Sequence, residues 1–181
     1  MTPVVGRPQG FTLVELVIVV TVAAILLVVG VPALQDLVRN NRLVTEANNL
    51  VAHLSLARSE AIKQRFPVAV CSSAAPDAAL PACDGGTDWS AGWIVFLDEN
   101  RSGTPDGEVD ILRRNGAVTG AINVRASGGK VAFSSDGSTE GGKPFTLVLC
   151  DERGPAKGRE VQVAGVGRAQ VTRPPLGDCT P

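Results

Sequence analysis

Gly10-Phe11-Thr12-Leu13-Val14-Glu15-Leu16, continued by VIVVTVAAILLVVGVPALQ to Gln35, is the stretch on which the reading of this chain turns. From Leu16 to Gln35 there is no charge, and Glu15 and Asp36 bracket the run. A helix of that length spans roughly 30 Å, about one hydrocarbon core. The preceding ten residues, Met1–Gly10, are polar and carry Arg7. The simplest reading is a transmembrane anchor. A secretory signal peptide cut after Ala33 is a competing one, although its apolar run would be long and Glu15 would stand between the basic leader and that run. Glu15 is the informative residue. A carboxylate beside hydrocarbon is costly, by about 2.5–3.5 kcal/mol at a helix centre and less near the interface, so it calls for a positive partner.

Beyond this run the pattern changes twice. Pro32 removes a backbone donor and is expected to kink the helix. Leu43, Ala47, Leu50, Val51, Leu54, Ala57 and Ala61 then recur at steps of three and four, an apolar stripe on an amphipathic helix. Glu46, Asn49, His53 and Glu60 are assigned to its polar face, with His53 as a solvated surface residue. Pro67 follows the expected helix end. After it come short β-rich runs separated by Gly, Pro, Asp and Ser. Strands are predicted near Val68–Cys71, Trp93–Leu97, Val109–Leu112, Ile122–Arg125, Val131–Ser134, Phe145–Cys150, Glu160–Val163 and Ala169–Thr172. Ser72–Gly86 reads as a surface loop.

Composition narrows the function. The 181 residues suit about one domain, and the net charge of −1 excludes a uniformly basic coat. One His excludes a two-histidine mechanism, and four Cys without a Cys-x-x-Cys pair argue against zinc fingers and thioredoxin-like chemistry. No nucleophile–base pair, metal set or phosphate loop stands out, so neither an enzyme nor a cofactor is expected.

The Gly10-Phe11-Thr12-Leu13-Val14-Glu15-Leu16 block ahead of an unbroken apolar run resembles the type III signal of type IV pilins and type II secretion pseudopilins. The segment GTDWSAGWIVFLDENRSG (Gly86–Gly103), with Cys150-Asp151 and Gly167-Arg168 near the end, resembles the GspH/FimT family of pseudopilins and minor pilins. The resemblance implies that a prepilin peptidase cuts between Gly10 and Phe11 and methylates Phe11. It implies that Glu15 pairs with the N-terminal amine of a neighbouring subunit. It implies an α+β, pilin-like fold: a long N-terminal helix, transmembrane and then amphipathic, packed on a C-terminal antiparallel β-sheet domain. The expected organisation is leader 1–10, assembly helix 11–35, amphipathic helix 36–66 and β-rich domain 67–181. The implied partners are other pilins or pseudopilins, the peptidase and the inner membrane, crossed once with the globular part in the periplasm. The implied function is a structural subunit that helps start or cap a filament, whether type IV pilus or type II secretion pseudopilus.

An exported domain lies in an oxidising compartment, where an even cysteine count favours disulfides. Three pairings are possible. Cys71–Cys83, closing the Pro-containing loop, and Cys150–Cys179, tying the tail to a strand, are the favoured ones. Asp98, Asn100 and Ser102 match the opening of a calcium-binding loop, but Val109 occupies the twelfth position where a bidentate Glu is needed, so the segment is a weak calcium candidate and reads as an acidic hairpin loop. Arg153, Lys157, Arg159, Arg168 and Arg173 stand against Glu160 alone between positions 153 and 173. In the FimT-like proteins a C-terminal Gly-Arg-x-Arg motif binds DNA for natural transformation. Here it reads Gly167-Arg168-Ala169-Gln170, with Gln170 in place of the second Arg. A DNA receptor using Arg159, Arg168 and Arg173 on phosphates is therefore the alternative function.

Overall fold

Thr12 starts the first helix: its hydroxyl oxygen accepts the Glu15 backbone N–H at 3.2 Å, satisfying one of the donors a helix N-terminus leaves open. The computed structural model describes residues 12–173 and Cys179. Gly10 and Phe11 lie outside the described residues. The described chain forms two units divided after Val38. Helix α1 is Leu13–Gln64, 52 residues, and contributes to both.

In the first unit every described side chain from Thr12 to Val38 is exposed. These are Val, Leu, Ile and Ala with few polar exceptions, and α1 is the one described helix long and apolar enough, by length and composition, to cross a membrane. Helical structure continues through Pro32. The missing amide there leaves the Val28 carbonyl without its usual intrahelical donor.

The second unit begins at Arg39. The expected stripe of α1 is its buried face: Leu43, Ala47, Leu50, Leu54, Ala57 and Ala61 are buried and Val51 packs beside them. The helix ends when Arg65 takes a left-handed conformation (φ 62°) while its N–H still reaches the Ala61 carbonyl. Among the described residues eight strands follow: β1 Val68–Ser72, β2 Trp93–Leu97, β3 Ile111–Asn115, β4 Asn123–Ala126, β5 Lys130–Phe133, β6 Phe145–Cys150, β7 Arg159–Val163 and β8 Ala169–Thr172. They pair antiparallel into two four-stranded sheets, β3-β2-β1-β5 and β4-β6-β7-β8.

The strand alternation explains the layering. In β1 and β2, Val68, Val70, Trp93 and Val95 join the main core with the helix stripe and Leu147, Leu149, Val161 and Val163 of the other sheet. The intervening Ala69, Cys71, Ile94 and Phe96 form a smaller core on the opposite face, where Cys83 and Ile111 pack. Ser72–Gly86, read as a surface loop, therefore covers a sheet face that would otherwise be wet. Val109 does not open β3. It sits in a 3₁₀ turn, Glu108–Asp110, and the strand starts two residues later.

Candidate functional site

The two tryptophans of the Trp89–Trp93 segment are buried and each satisfies its indole N–H. Trp89 donates to the Gly128 carbonyl at 3.1 Å and lies 5.7 Å from the Phe145 ring. Trp93 donates to Nδ1 of His53 at 2.9 Å. His53 is thus not the freely solvated residue that its place on the helix suggested. It is half-buried, and burial, with Arg113 adding like charge, lowers its pKa below 6.5. Its Nδ1 must stay unprotonated to accept the indole proton. Glu46, Asn49 and Glu60 are likewise at the margins of the buried stripe and not on the open face, which Thr45, Asn48, Ala52, Ser55 and Ser59 occupy.

Cys71 and Cys83 are bonded with Cα atoms 5.6 Å apart, and Cys150 and Cys179 with Cα atoms 5.7 Å apart. Beside the first bridge, the Ser72 hydroxyl donates to the Asp84 carboxylate, whose oxygen also accepts the Gly86 N–H at 2.8 Å. The acidic side chains there serve the loop itself.

The same holds for the weak calcium candidate. The Asp98 carboxylate is buried, accepts the Gly103 N–H at 3.0 and 3.2 Å and has the Lys130 ammonium at 3.7 Å. Asn100 Oδ1 accepts the Ser102 N–H, and the Ser102 hydroxyl donates to the Thr104 carbonyl. The oxygens are turned to internal donors and one is balanced by a lysine, a donor set unsuited to a divalent cation.

At the basic end the expectation for Arg159 is overturned. This side chain is only 5% exposed. Its guanidinium donates to the carbonyls of Lys157 (2.7 Å) and Gly158 (2.8 Å) and to Asn40 Oδ1 on α1. Burial, then the charges of Arg173 and Arg153, push its pKa down, with Asp151 opposing. It staples β7 to the helix and cannot meet a phosphate. Arg153 is held by Asp151 at 2.6 Å, and Arg39 meets Glu152 at 2.8 Å. Burial alone would raise the Asp151 pKa. The hydrogen bonds and charge of Arg153, with Arg39, outweigh it, and the carboxyl is held low. Arg168 and Arg173 are exposed, so two of the three proposed cations face solvent.

Arg58, with Arg39, Arg42, Lys63 and Arg65 the next basic set after the chain's end on sequence grounds, lies against that end. Its Nε donates to the Gly137 carbonyl at 2.9 Å, and with Ser55, Ser59, Ile62, Gly167, Arg168 and Ala169 it lines a groove of about 290 Å³. The signal was its position, three and four residues from the core residues Ala61 and Leu54 on the edge of the stripe. Gly167 has φ 81°, and a Cβ there would overlap the Gly137 carbonyl oxygen. Its glycine is a requirement of packing as well as of the turn.

An exposed apolar helical segment carrying one early carboxylate, and a separate unit of helix on two antiparallel sheets, define a pilin-like protein. The family model of the type II transport protein GspH matches residues 46–167, well over half of the chain, and the chain belongs to that family. The prokaryotic N-terminal methylation motif matches residues 6–31. The crystal structure of the type IV minor pilin FimU of Pseudomonas aeruginosa is similar with a TM-score of 0.62 at 22% identity, covering 78% of this chain and 98% of that one. The minor pseudopilin EpsH of the type II secretion system of Vibrio cholerae gives 0.53 at 12% identity, covering 77% and 99%. No curated protein sequence matches the chain.

Proposed function

We propose that the chain is a minor subunit of a type IV pilus or type II secretion pseudopilus, placed where the filament starts or is capped. The observation that carries this reading is the methylation motif at residues 6–31 joined to a GspH unit at 46–167 in one chain. The precursor is held in the inner membrane by residues 11–35, with the globular unit in the periplasm. Prepilin peptidase cuts after Gly10 and methylates Phe11. The amphipathic helix 36–66 belongs with the β-rich part 67–181 as the working body of the subunit.

Glu15 supports assembly in this reading. It sits in the first turn of α1, and among the described residues its carboxylate makes no ion pair. In hydrocarbon an unpaired carboxylate is expensive, and the free amine made by cleavage of a neighbouring subunit is a cation of the right charge at the right end of a parallel helix. Pairing the two drives docking in register. Replacing Glu15 by Val removes the costly charge, so membrane insertion should be at least as good as wild type. Incorporation into sheared filaments should be lost. Equal incorporation of Glu15→Val would overturn the pairing role.

A further inference from the structure

Cations gather at the end of the unit that begins with Arg39. On α1, Arg39 is 2.8 Å from Glu152, Asn40 accepts a hydrogen bond from Arg159, and Arg42 lies along the 116–121 turn, where a Cβ at Gly120 would fall 2.9 Å from its Cδ. The 153–159 turn adds Arg153, Lys157 and Arg159. Arg173, just after β8, is close enough to Arg159 to lower its pKa, as is Arg153. Glu152 and Asp151 answer Arg39 and Arg153. Among the described residues the donors of Arg159 go to neutral oxygens. Arg42, Lys157 and Arg173 are exposed and, among the described residues, make no ion pair. Neither turn holds an acid. The exposed side chains between the cations, Ala117, Thr119, Ala121, Pro155 and Ala156, are small and uncharged.

The position of this end along the chain says what it meets. The uncharged run closes at Gln35, and α1 continues unbroken, so Arg39 follows it by four residues and Arg42 by seven. In a helix these are steps of about 6 and 10 Å. The headgroup layer reaches about 5–8 Å beyond the hydrocarbon, and a long cationic side chain spans what is left. With residues 11–35 in the membrane, Arg39 and Arg42 stand at the depth of the lipid phosphates, and the turns that touch them come with them. While the chain is in the membrane, the bilayer surface occupies the side from which a nucleic acid would approach.

We propose that this end of the unit is a seat for the phosphates of anionic lipid headgroups, bound by Arg42, Lys157 and Arg173. The proposal rests on the membrane-anchored reading above. Anionic lipid attracts basic side chains within a Debye length of the surface. Small uncharged residues between the cations let the turns lie close to it. The contact belongs to the subunit in the membrane and is given up when the subunit enters a filament.

The test uses the full chain reconstituted into vesicles of phosphatidylcholine, alone or with about a third phosphatidylglycerol. Both carry the same small share of lipid with a nitroxide on its headgroup. A fluorophore is attached at Ala156→Cys or, as the control, at Ser135→Cys. Ser135 is in the turn that Arg58 reaches, and Arg58 lies 16 residues, about 24 Å, further along α1 than Arg42. Quenching at position 156 should be at least about twofold greater with phosphatidylglycerol at about 0.1 M salt and fall to the phosphatidylcholine level at about 1 M. Quenching at position 135 should be the same in both vesicles. Arg42→Gln with Lys157→Gln should bring position 156 to the phosphatidylcholine level. Equal quenching at 156 in the two vesicles, an equal rise at 135, or a double variant that behaves as wild type would overturn the proposal. Loss of the effect on adding inorganic phosphate or duplex DNA, at a phosphate concentration equal to that of the anionic lipid, would overturn it too, by assigning the cations to a free phosphate or a nucleic acid. Flotation separates this proposal from the reading beneath it. A chain that floats with phosphatidylcholine vesicles but shows no phosphatidylglycerol effect leaves the anchor and the filament role standing. A chain that floats with neither has no anchor, and both fall.

Discussion

Gly167→Ala tests whether the groove and turn are built as described. At φ 81° any residue with a Cβ is strained, at about 1–2 kcal/mol. At this position the new methyl also overlaps the Gly137 carbonyl oxygen and comes within 3.0 Å of Arg58 Nε. Relief requires the turn to shift or the Arg58–Gly137 hydrogen bond to break, a further 0.5–1.5 kcal/mol or so. The total is about 2.5 kcal/mol. Gly141→Ala is the matched control: its φ is 71°, but nothing lies within 4 Å of the new Cβ. It should cost only the conformational part, about 1–2 kcal/mol. At roughly 4 °C per kcal/mol for a unit of this size, Gly167→Ala should lower Tm by ~10 °C and Gly141→Ala by ~6 °C. The assay is thermal unfolding of residues 39–181 by circular dichroism. A Gly167→Ala midpoint within about 2 °C of the control would refute the packing argument.

Further outcomes follow from the same contacts. His53 has a lowered pKa when folded, so between that value and 6.5 the unfolded chain binds the extra proton; stability should be full above pH 6.5 and fall as pH drops, and His53→Gln should flatten the slope in denaturant titrations at pH 5 and 7.5. Arg159→Leu should lose about 1–3 kcal/mol in urea unfolding, because two carbonyls and Asn40 lose their donor, while exposed Arg173→Gln should stay within about 0.5 kcal/mol of wild type. Thiol titration of periplasmic material under denaturing, non-reducing conditions should find almost no free thiol, and the Cys71→Ser, Cys83→Ser double variant should be about 2–4 kcal/mol less stable.

Much of the architecture was legible because burial imposes periodicity. The helix stripe from Leu43 to Ala61 follows from steps of three and four, and Trp93–Leu97 and Phe145–Cys150 are apolar runs of strand length. The division into two sheets was not legible, since pairing such as β1 with β5 joins residues far apart in sequence and leaves no local mark. His53 was misplaced because a helical wheel does not show a tryptophan, forty residues away, that needs an acceptor. Arg159 carries a local mark of its burial. It has the same strand parity as Val161 and Val163, which face the core, so alternation alone places its side chain inward. Charge suggested solvent, and the free carbonyls at Lys157 and Gly158 that make burial tolerable appear only once the chain is folded.

The central claim is that this chain is a processed filament subunit, and intact-mass spectrometry of the protein extracted from membranes tests it most directly. The expected mass is that of a chain beginning at Phe11 with one added methyl group, and Gly10→Val should shift it to the uncut precursor from Met1. A wild-type chain that retains residues 1–10, begins after Ala33, or keeps its mature mass in Gly10→Val would contradict the account.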